Sequence, residues 1–108
     1  MLVNYKQTLE TARKYGVDAI MLTIAEEMQN VKLDLLNKTM NDKEFEMCCS
    51  LVEDSYLKSE SITISQFARA LSDIIEQEEN ENKTIEEIIK QTSINELIEK
   101  ACWYEGWE

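Results

Sequence analysis

The sequence predicts an all-α fold, a compact bundle of five to six helices. Proline is absent from the 108 residues and glycine occurs only twice, whereas strand-rich domains need many turns and therefore more of both. Recurrent helix-start signals, each followed by apolar residues at helical spacing, point the same way. An all-β sandwich is close to excluded, and the length fits one domain over residues 1–108.

The helix starts are capping boxes, in which a small polar side chain and a Glu or Gln three residues later bond each other's backbone N–H groups. With the apolar periodicity, they predict a first helix near 5–15 that ends at Gly16 and a long helix near 18–39. Four further helices are predicted near 42–57, 65–79, 85–91 and 94–104. The capping boxes pair Asn41 with Glu44, Thr63 with Gln66, Thr84 with Glu87, and Ser93 with Glu96.

Two connecting stretches have a distinct composition. Residues 60–65 alternate β-branched and polar side chains, which allows a short extended segment before the fourth helix. Residues 76–83, called the acidic loop below, carry four glutamates between two apolar stripes. This stretch predicts a loop or a frayed helix end.

The long helix has an unusually wide apolar face. Its apolar residues, from Ile20 to Met40, cover an arc of about 200°, where a surface helix shows nearer 100°. Such a helix must be covered from two sides. We therefore expect the bundle to pack around it as a central helix, while a self-association surface, and hence a homodimer, is the alternative.

The charge is strongly acidic and limits the kinds of partner. Eleven basic residues oppose twenty-two acidic ones, for a formal net charge of −11. A protein of this charge is repelled by phosphate backbones and by anionic membrane surfaces. The sequence therefore predicts no direct nucleic-acid binding and no membrane binding, and it favours a basic protein partner.

The residues that carry most catalytic and metal chemistry are missing or wrongly spaced. Histidine is absent, which removes the commonest general base and the commonest neutral metal ligand. Cys48, Cys49 and Cys102 lack the paired spacing of a zinc site. A calcium loop fails because Lys83 stands where glycine is required and Ile89 where the bidentate Glu belongs. We expect that the protein has no catalytic residue, no metal and no cofactor, and that it is not an enzyme.

The cysteines and the first residues indicate a cytoplasmic setting. An odd number of cysteines, two of them adjacent, does not suggest a disulfide framework, and Cys48 with Cys49 reads as small apolar core filling. The first residues show neither a basic start nor the apolar run of a secretory signal. The longest apolar run, 19–22, is far too short to span a bilayer.

Trp103 departs from the apolar stripe of the last predicted helix. On a helical wheel it lies opposite the stripe, within about 40° of Glu96 and Glu99. Trp107 lies beyond Gly106, which is expected to end the helix. Trp103 is therefore either covered by a neighbouring helix or exposed as an interface anchor. The stripe itself contains Ile94, Leu97, Ile98, Ala101, Cys102 and Tyr104.

These features predict a small acidic protein-binding module. Its most concrete form is an inhibitor of phage or mobile-element type that occupies a basic, nucleic-acid-binding surface of a host protein, with carboxylates in place of phosphates. Electrostatic attraction would raise the association rate and a buried aromatic side chain would hold the complex. The candidate partner-binding residues are Glu76, Glu78, Glu79, Glu81, Glu86, Glu87 and Trp103.

Two alternatives stay open at this point. In the first, the chain is a homo-oligomeric structural or small-ligand-binding protein whose subunit interface is the apolar arc of residues 20–40. In the second, it is the immunity partner of a toxin, which relies on the same acidic-surface physics.

Overall fold

The computed structural model describes residues 19–59 and 61–104. Over these residues the chain forms five α-helices and no strand, so the all-α prediction is confirmed. The first predicted helix, near 5–15, lies outside the described residues, as do Gly16, Gly106 and Trp107. The helices are α1 (Ala19–Asp34), α2 (Asp42–Lys58), α3 (Ile64–Ile75), α4 (Ile85–Gln91) and α5 (Ile94–Cys102), with a short 3₁₀ helix at Glu78–Asn80.

Helices α2 to α5 all begin at the predicted capping boxes. At the start of α2, the Asn41 side chain accepts from the backbone N–H of Glu44 at 2.8 Å, and the Glu44 carboxylate accepts from the backbone N–H of Asn41 at 3.0 Å. Each box satisfies two backbone donors that a helix start otherwise leaves unpaired. The same reciprocal pairs form at Thr63 with Gln66, Thr84 with Glu87, and Ser93 with Glu96.

Among the described residues the most enclosed helix is α3, rather than the long helix predicted near 18–39. Helix α3 packs against α1, α2, α4 and α5, and seven of its twelve residues are buried. Phe67, Leu71 and Ile75 are fully enclosed. Within residues 19–59 and 61–104, helix α1 packs mainly against α2 and α3, whereas α3 packs against all four other helices.

Helix α1 ends at Asp34 because a glutamate distant in the sequence forms hydrogen bonds with the residues that follow the helix. The carboxylate of Glu76 accepts from the backbone N–H of Leu36 at 2.7 Å and from the side-chain amide of Asn37 at 3.2 Å. In a continuing helix the Leu36 N–H would bond to a carbonyl one turn earlier. Leu33 and Leu36 remain 70% and 89% exposed, so the predicted apolar arc is covered only in part.

The predicted boundaries near residues 60–79 also shift. Helix α3 begins at Ile64, so the expected extended segment is reduced to the N-cap Thr63 and its neighbours, with residue 60 outside the described residues. At its other end α3 stops at Ile75, four residues earlier than predicted. The chain then turns into the acidic loop.

The acidic loop is ordered by a buried asparagine. Asn80, only 4% exposed, donates from its side-chain amide to the carbonyl of Ile74 at 2.8 Å and accepts from the amide of Gln91 at 3.1 Å. One side chain therefore joins the end of α3 to the end of α4. The alternative of a frayed helix end is thereby replaced by a defined turn.

A lysine from the α1–α2 connection holds the same loop from outside. The ammonium of Lys38 donates to the backbone carbonyls of Asn80, Glu81 and Lys83 at 3.0, 3.1 and 2.6 Å. An ammonium has three N–H donors, and all three are used on this loop. The connection between α1 and α2 and the acidic loop are therefore one packed unit.

Two buried carboxylates also join helices. Glu44 accepts a second backbone N–H, that of Glu86 at 2.9 Å, so it links the start of α2 to the start of α4. Glu27 on α1 accepts from the Ser65 hydroxyl on α3 at 3.3 Å. Burial raises the pKa of Glu27, and this hydrogen bond opposes the rise. Part of the acidity of the sequence is thus used inside the fold.

The cysteines are all free, and two of them fill the core as expected. Burial raises the pKa of Cys48 to about 12, with Cys49 and Glu44 adding to the effect, and burial likewise raises the pKa of Cys49. Such thiols form little of the reactive thiolate. Cys102 is exposed, so its assignment to the core stripe of α5 is wrong. Cys102 lies at the edge of that stripe and is the last residue of the helix.

Replacing Asn80 by alanine should destabilise the fold through the acidic loop. The change leaves the Ile74 carbonyl and the Gln91 amide without their partner, and we expect the free energy of unfolding to fall by about 1–3 kcal/mol in urea denaturation. Asn82→Ala, at an exposed position of the same loop, is the matched control and should stay within about 0.5 kcal/mol of wild type. Equal losses in the two variants would contradict this role of Asn80.

Candidate functional site

A groove of about 480 Å³ opens where the ends of α3 and α4 meet the outer face of α5. The acidic loop forms one wall, and the exposed side of α5 forms the other. The groove lies on a part of the surface that four segments build together, and the core residue Ile74 lies at its base. Its lining residues are Ile74, Gln77, Glu79, Asn80, Lys83, Gln91, Thr92, Glu96, Glu99, Lys100 and Trp103.

The residues at the floor of this groove are buried and make contacts that stabilise the fold. Ile74, Asn80 and Thr92 are all buried. The Thr92 hydroxyl donates to the carbonyl of Ile88 at 2.7 Å, and the Asn80 amide makes the two bonds described above. A partner would therefore meet mainly the rim of the groove, which we define as Glu79, Glu96, Glu99, Lys100 and Trp103.

Trp103 is the most prominent apolar feature of the rim. It is 72% exposed, an outcome that the helical wheel left open, while Leu97 and Ala101 on the opposite side of α5 are fully buried. The ammonium of Lys100 lies 5.3 Å from the centroid of its ring, within the range of a cation–π contact. The large indole is therefore exposed to solvent, and the ammonium of Lys100 lies over one side of its ring.

Tyr104 explains why the end of α5 presents Trp103 outward. Its hydroxyl donates to the carboxylate of Asp73 on α3, and the guanidinium of Arg69 lies 5.1 Å from its ring centroid. These contacts hold the residue after Trp103 against α3. The indole is then directed to the other side of the helix, over the groove.

Three of the predicted partner-binding glutamates have free, exposed carboxylates on the acidic loop. Within the described residues, the side chains of Glu78, Glu79 and Glu81 make no ion pair or hydrogen bond. Glu79 lies on the groove with Trp103. Glu78 and Glu81 line a second depression of about 540 Å³ on the other side of the loop, beside Lys38.

The other three predicted glutamates are engaged within the protein. Glu76 holds the chain after α1, as described above. Glu86 pairs with Lys43 at 2.9 Å and with Lys90 at 3.1 Å, and these two lysines, Lys43 foremost, lower its pKa. Glu87 belongs to a capping box, and hydrogen bonds from Thr84 lower its pKa. Glu86 and Glu87 line neither depression, so the six carboxylates do not form one row.

Two rim carboxylates, those of Glu96 and Glu99, were missing from the predicted site. Both are exposed and lie on the face of α5 that carries Trp103. Their helical spacing relative to Trp103 was the signal that could have included them. Two lysines, Lys83 and Lys100, also line the groove, and Lys83 donates to the Gln91 side chain at 3.0 Å.

Comparison with protein-family models, with curated proteins and with solved structures gives no match to this chain. Among the described residues, no three His, Cys, Asp or Glu side chains converge as metal ligands would. None of the helices in residues 19–59 and 61–104 is both long enough and apolar enough to cross a bilayer.

Proposed function

We propose that this protein is an acidic protein-binding module that docks onto a basic surface of another protein. The observation that carries the proposal is the exposed Trp103, 72% accessible, on a groove whose rim holds the carboxylates of Glu79, Glu96 and Glu99. Tryptophan is enriched among the residues that dominate binding energies at protein interfaces. Carboxylates around it would steer a basic partner and set its orientation.

The order of the acidic loop supports this proposal. Lys38 and Asn80 hold the backbone of the loop, so its three free carboxylates, on Glu78, Glu79 and Glu81, project from a fixed frame. A surface that is already ordered loses less conformational entropy on binding than a flexible one. With a net charge of −11, the whole molecule adds long-range attraction for a basic surface.

The more specific form of the proposal is an inhibitor of phage or mobile-element type. Acting in the cytoplasm, it would occupy the nucleic-acid-binding surface of a host protein, where its carboxylates take the place of phosphates. An immunity partner of a toxin would use the same surface and the same physics. The identity of the bound protein distinguishes the two.

The basic-partner proposal predicts salt-sensitive binding that depends on the acidic loop. Immobilised protein is exposed to lysate of the source organism or its host, at about 50 and about 500 mM NaCl, where screening lengths differ severalfold. Capture of the partner should fall at least about tenfold at the higher salt because exposed charges carry the attraction. Reversing Glu78, Glu79 and Glu81 to lysine should have a similar effect at low salt.

The matched control reverses three exposed carboxylates elsewhere, with the same change in net charge. Glu26, Glu46 and Asp54 on α1 and α2 are suitable, and their replacement by lysine should retain most of the capture. Salt-insensitive capture, or equal losses in the two triple variants, would contradict the proposal. Release of the captured protein by competing DNA would support the inhibitor form.

A second candidate function, self-association, is favoured by the exposure of Leu33, in the last turn of α1, and of Leu36, two residues after the helix ends. Exposed leucines are typical of a subunit interface when they belong to a larger apolar patch. Light scattering at micromolar concentration tests this candidate. A wild-type chain with the mass of a dimer, which becomes a monomer when Leu33→Ser and Leu36→Ser are combined, would support self-association. A monomeric wild-type chain would exclude it.

A further inference from the structure

We propose that the groove receives an arginine side chain of the partner, stacked on the face of Trp103 that Lys100 occupies in the free protein. This inference rests on the proposed function and names the chemistry that the surface recognises. The guanidinium would lie on the indole and donate to rim carboxylates of α5. Lys100 would leave the ring when the partner's arginine arrives.

The first observation is that Trp103 already holds a cation. The ammonium of Lys100 lies 5.3 Å from the ring centroid, so the exposed face of the indole is accessible to a positive charge. An indole ring attracts cations more strongly than the other aromatic side chains do. Lys100 therefore acts as an intramolecular stand-in for a cation from a partner.

The second observation is that this lysine is loosely held. Glu96 precedes Lys100 by four residues and Glu99 precedes Trp103 by four, so all four side chains share one face of α5. Yet within the described residues Lys100 makes no ion pair, and the carboxylate of Glu99 has no hydrogen-bond donor. The cation on the ring can therefore be exchanged without breaking an ion pair.

The third observation concerns charge and favours a cationic ligand over an anionic one. The carboxylates of Glu79, Glu96 and Glu99 face the groove, against the ammonium groups of Lys83 and Lys100. Lys83 is engaged with the Gln91 side chain at 3.0 Å, and Lys100 lies on the indole. Glu96 accepts from the backbone N–H of Ser93 at 3.4 Å, whereas the carboxylates of Glu79 and Glu99 have no donor within the described residues, so at least these two rim acceptors are available to a cation.

Arginine fits this arrangement better than lysine. A guanidinium is planar, so it stacks on an aromatic face and still directs N–H groups sideways to a carboxylate, often in bidentate geometry. An ammonium is a compact and strongly hydrated charge that does only one of these at a time. The buried Ile74 on the floor gives the methylene groups of the arginine an apolar surface to rest against.

The test titrates the full-length, ¹⁵N-labelled protein with acetyl-Gly-Arg-Gly-amide and follows the indole N–H signal of Trp103, assigned with Trp103→Phe. We expect a saturable shift with a Kd of about 1–10 mM, as for a single weakly held side chain. The lysine peptide should bind about fivefold more weakly, and the uncharged citrulline peptide should give no saturable shift.

The decisive comparison uses two variants that remove the same charge from the same groove. Lys100→Gln frees the indole face and should tighten arginine binding about threefold to fivefold. Lys83→Gln removes a charge without freeing the ring, and it should change the affinity by less than about twofold. Trp103→Leu should abolish binding, as judged by the backbone signals of Glu96 and Glu99.

Two results would overturn the inference. One is a Lys100→Gln variant that binds no more tightly than Lys83→Gln, because Lys100 would then not occupy the arginine site. The other is a Trp103 signal that responds to inorganic phosphate and not to the arginine peptide, which would make the groove an anion site. If either result is obtained while capture of a basic protein remains salt-sensitive, the proposed function still holds, but the partner is not recognised through an arginine on Trp103.

Discussion

The acidic loop and the groove beside it depend on the ammonium of Lys38, which gives all three of its hydrogen bonds to backbone carbonyls of the loop. A segment with glutamates at 76, 78, 79 and 81 would by itself repel and extend. The ammonium of Lys38 binds the carbonyls of this segment and the side chain of Asn80 is buried beneath it, so the segment packs as an ordered element. That element ends α3, leads into α4 and holds the chain that follows α1. Without it the groove would have no wall on this side.

The fold divides its carboxylates into two groups with different uses. Glu44 joins the starts of α2 and α4, Glu76 holds the end of α1, and Glu86 is neutralised by two lysines. These side chains have their partners within the protein and have little left to offer another one. Glu79 and Glu99 have no such partner within the described residues and, with Glu96 of the α5 capping box, lie around an exposed indole. Net charge alone therefore overstates the acidic surface, and the part proposed to bind is the free carboxylates of the acidic loop together with those next to Trp103.

The features that the sequence predicted correctly are those governed by neighbours along the chain. A capping box needs only residues three positions apart, so the starts of α2 to α5 could be read directly, and the outward direction of Trp103 follows from helical period. The errors concern contacts between distant residues. Glu76 ends α1 from forty positions away, and no local pattern announces this. The engagement of Glu76 with Leu36 is for the same reason not visible in the sequence, whereas Glu99, four residues before Trp103, could have been included on local spacing alone.

The central claim is that Lys38 keeps the acidic loop ordered, and backbone amide hydrogen exchange in wild type and Lys38→Met tests it most directly. The N–H groups of Asn80, Glu81 and Lys83 donate to carbonyls within the loop at 2.9, 3.1 and 3.0 Å, so they should exchange more slowly than in an unstructured peptide. In Lys38→Met their protection should fall at least about tenfold, while Val52 and Leu71 in the core of α2 and α3 keep theirs. Unprotected loop amides in wild type, or loop protection unchanged by the substitution, would contradict the account.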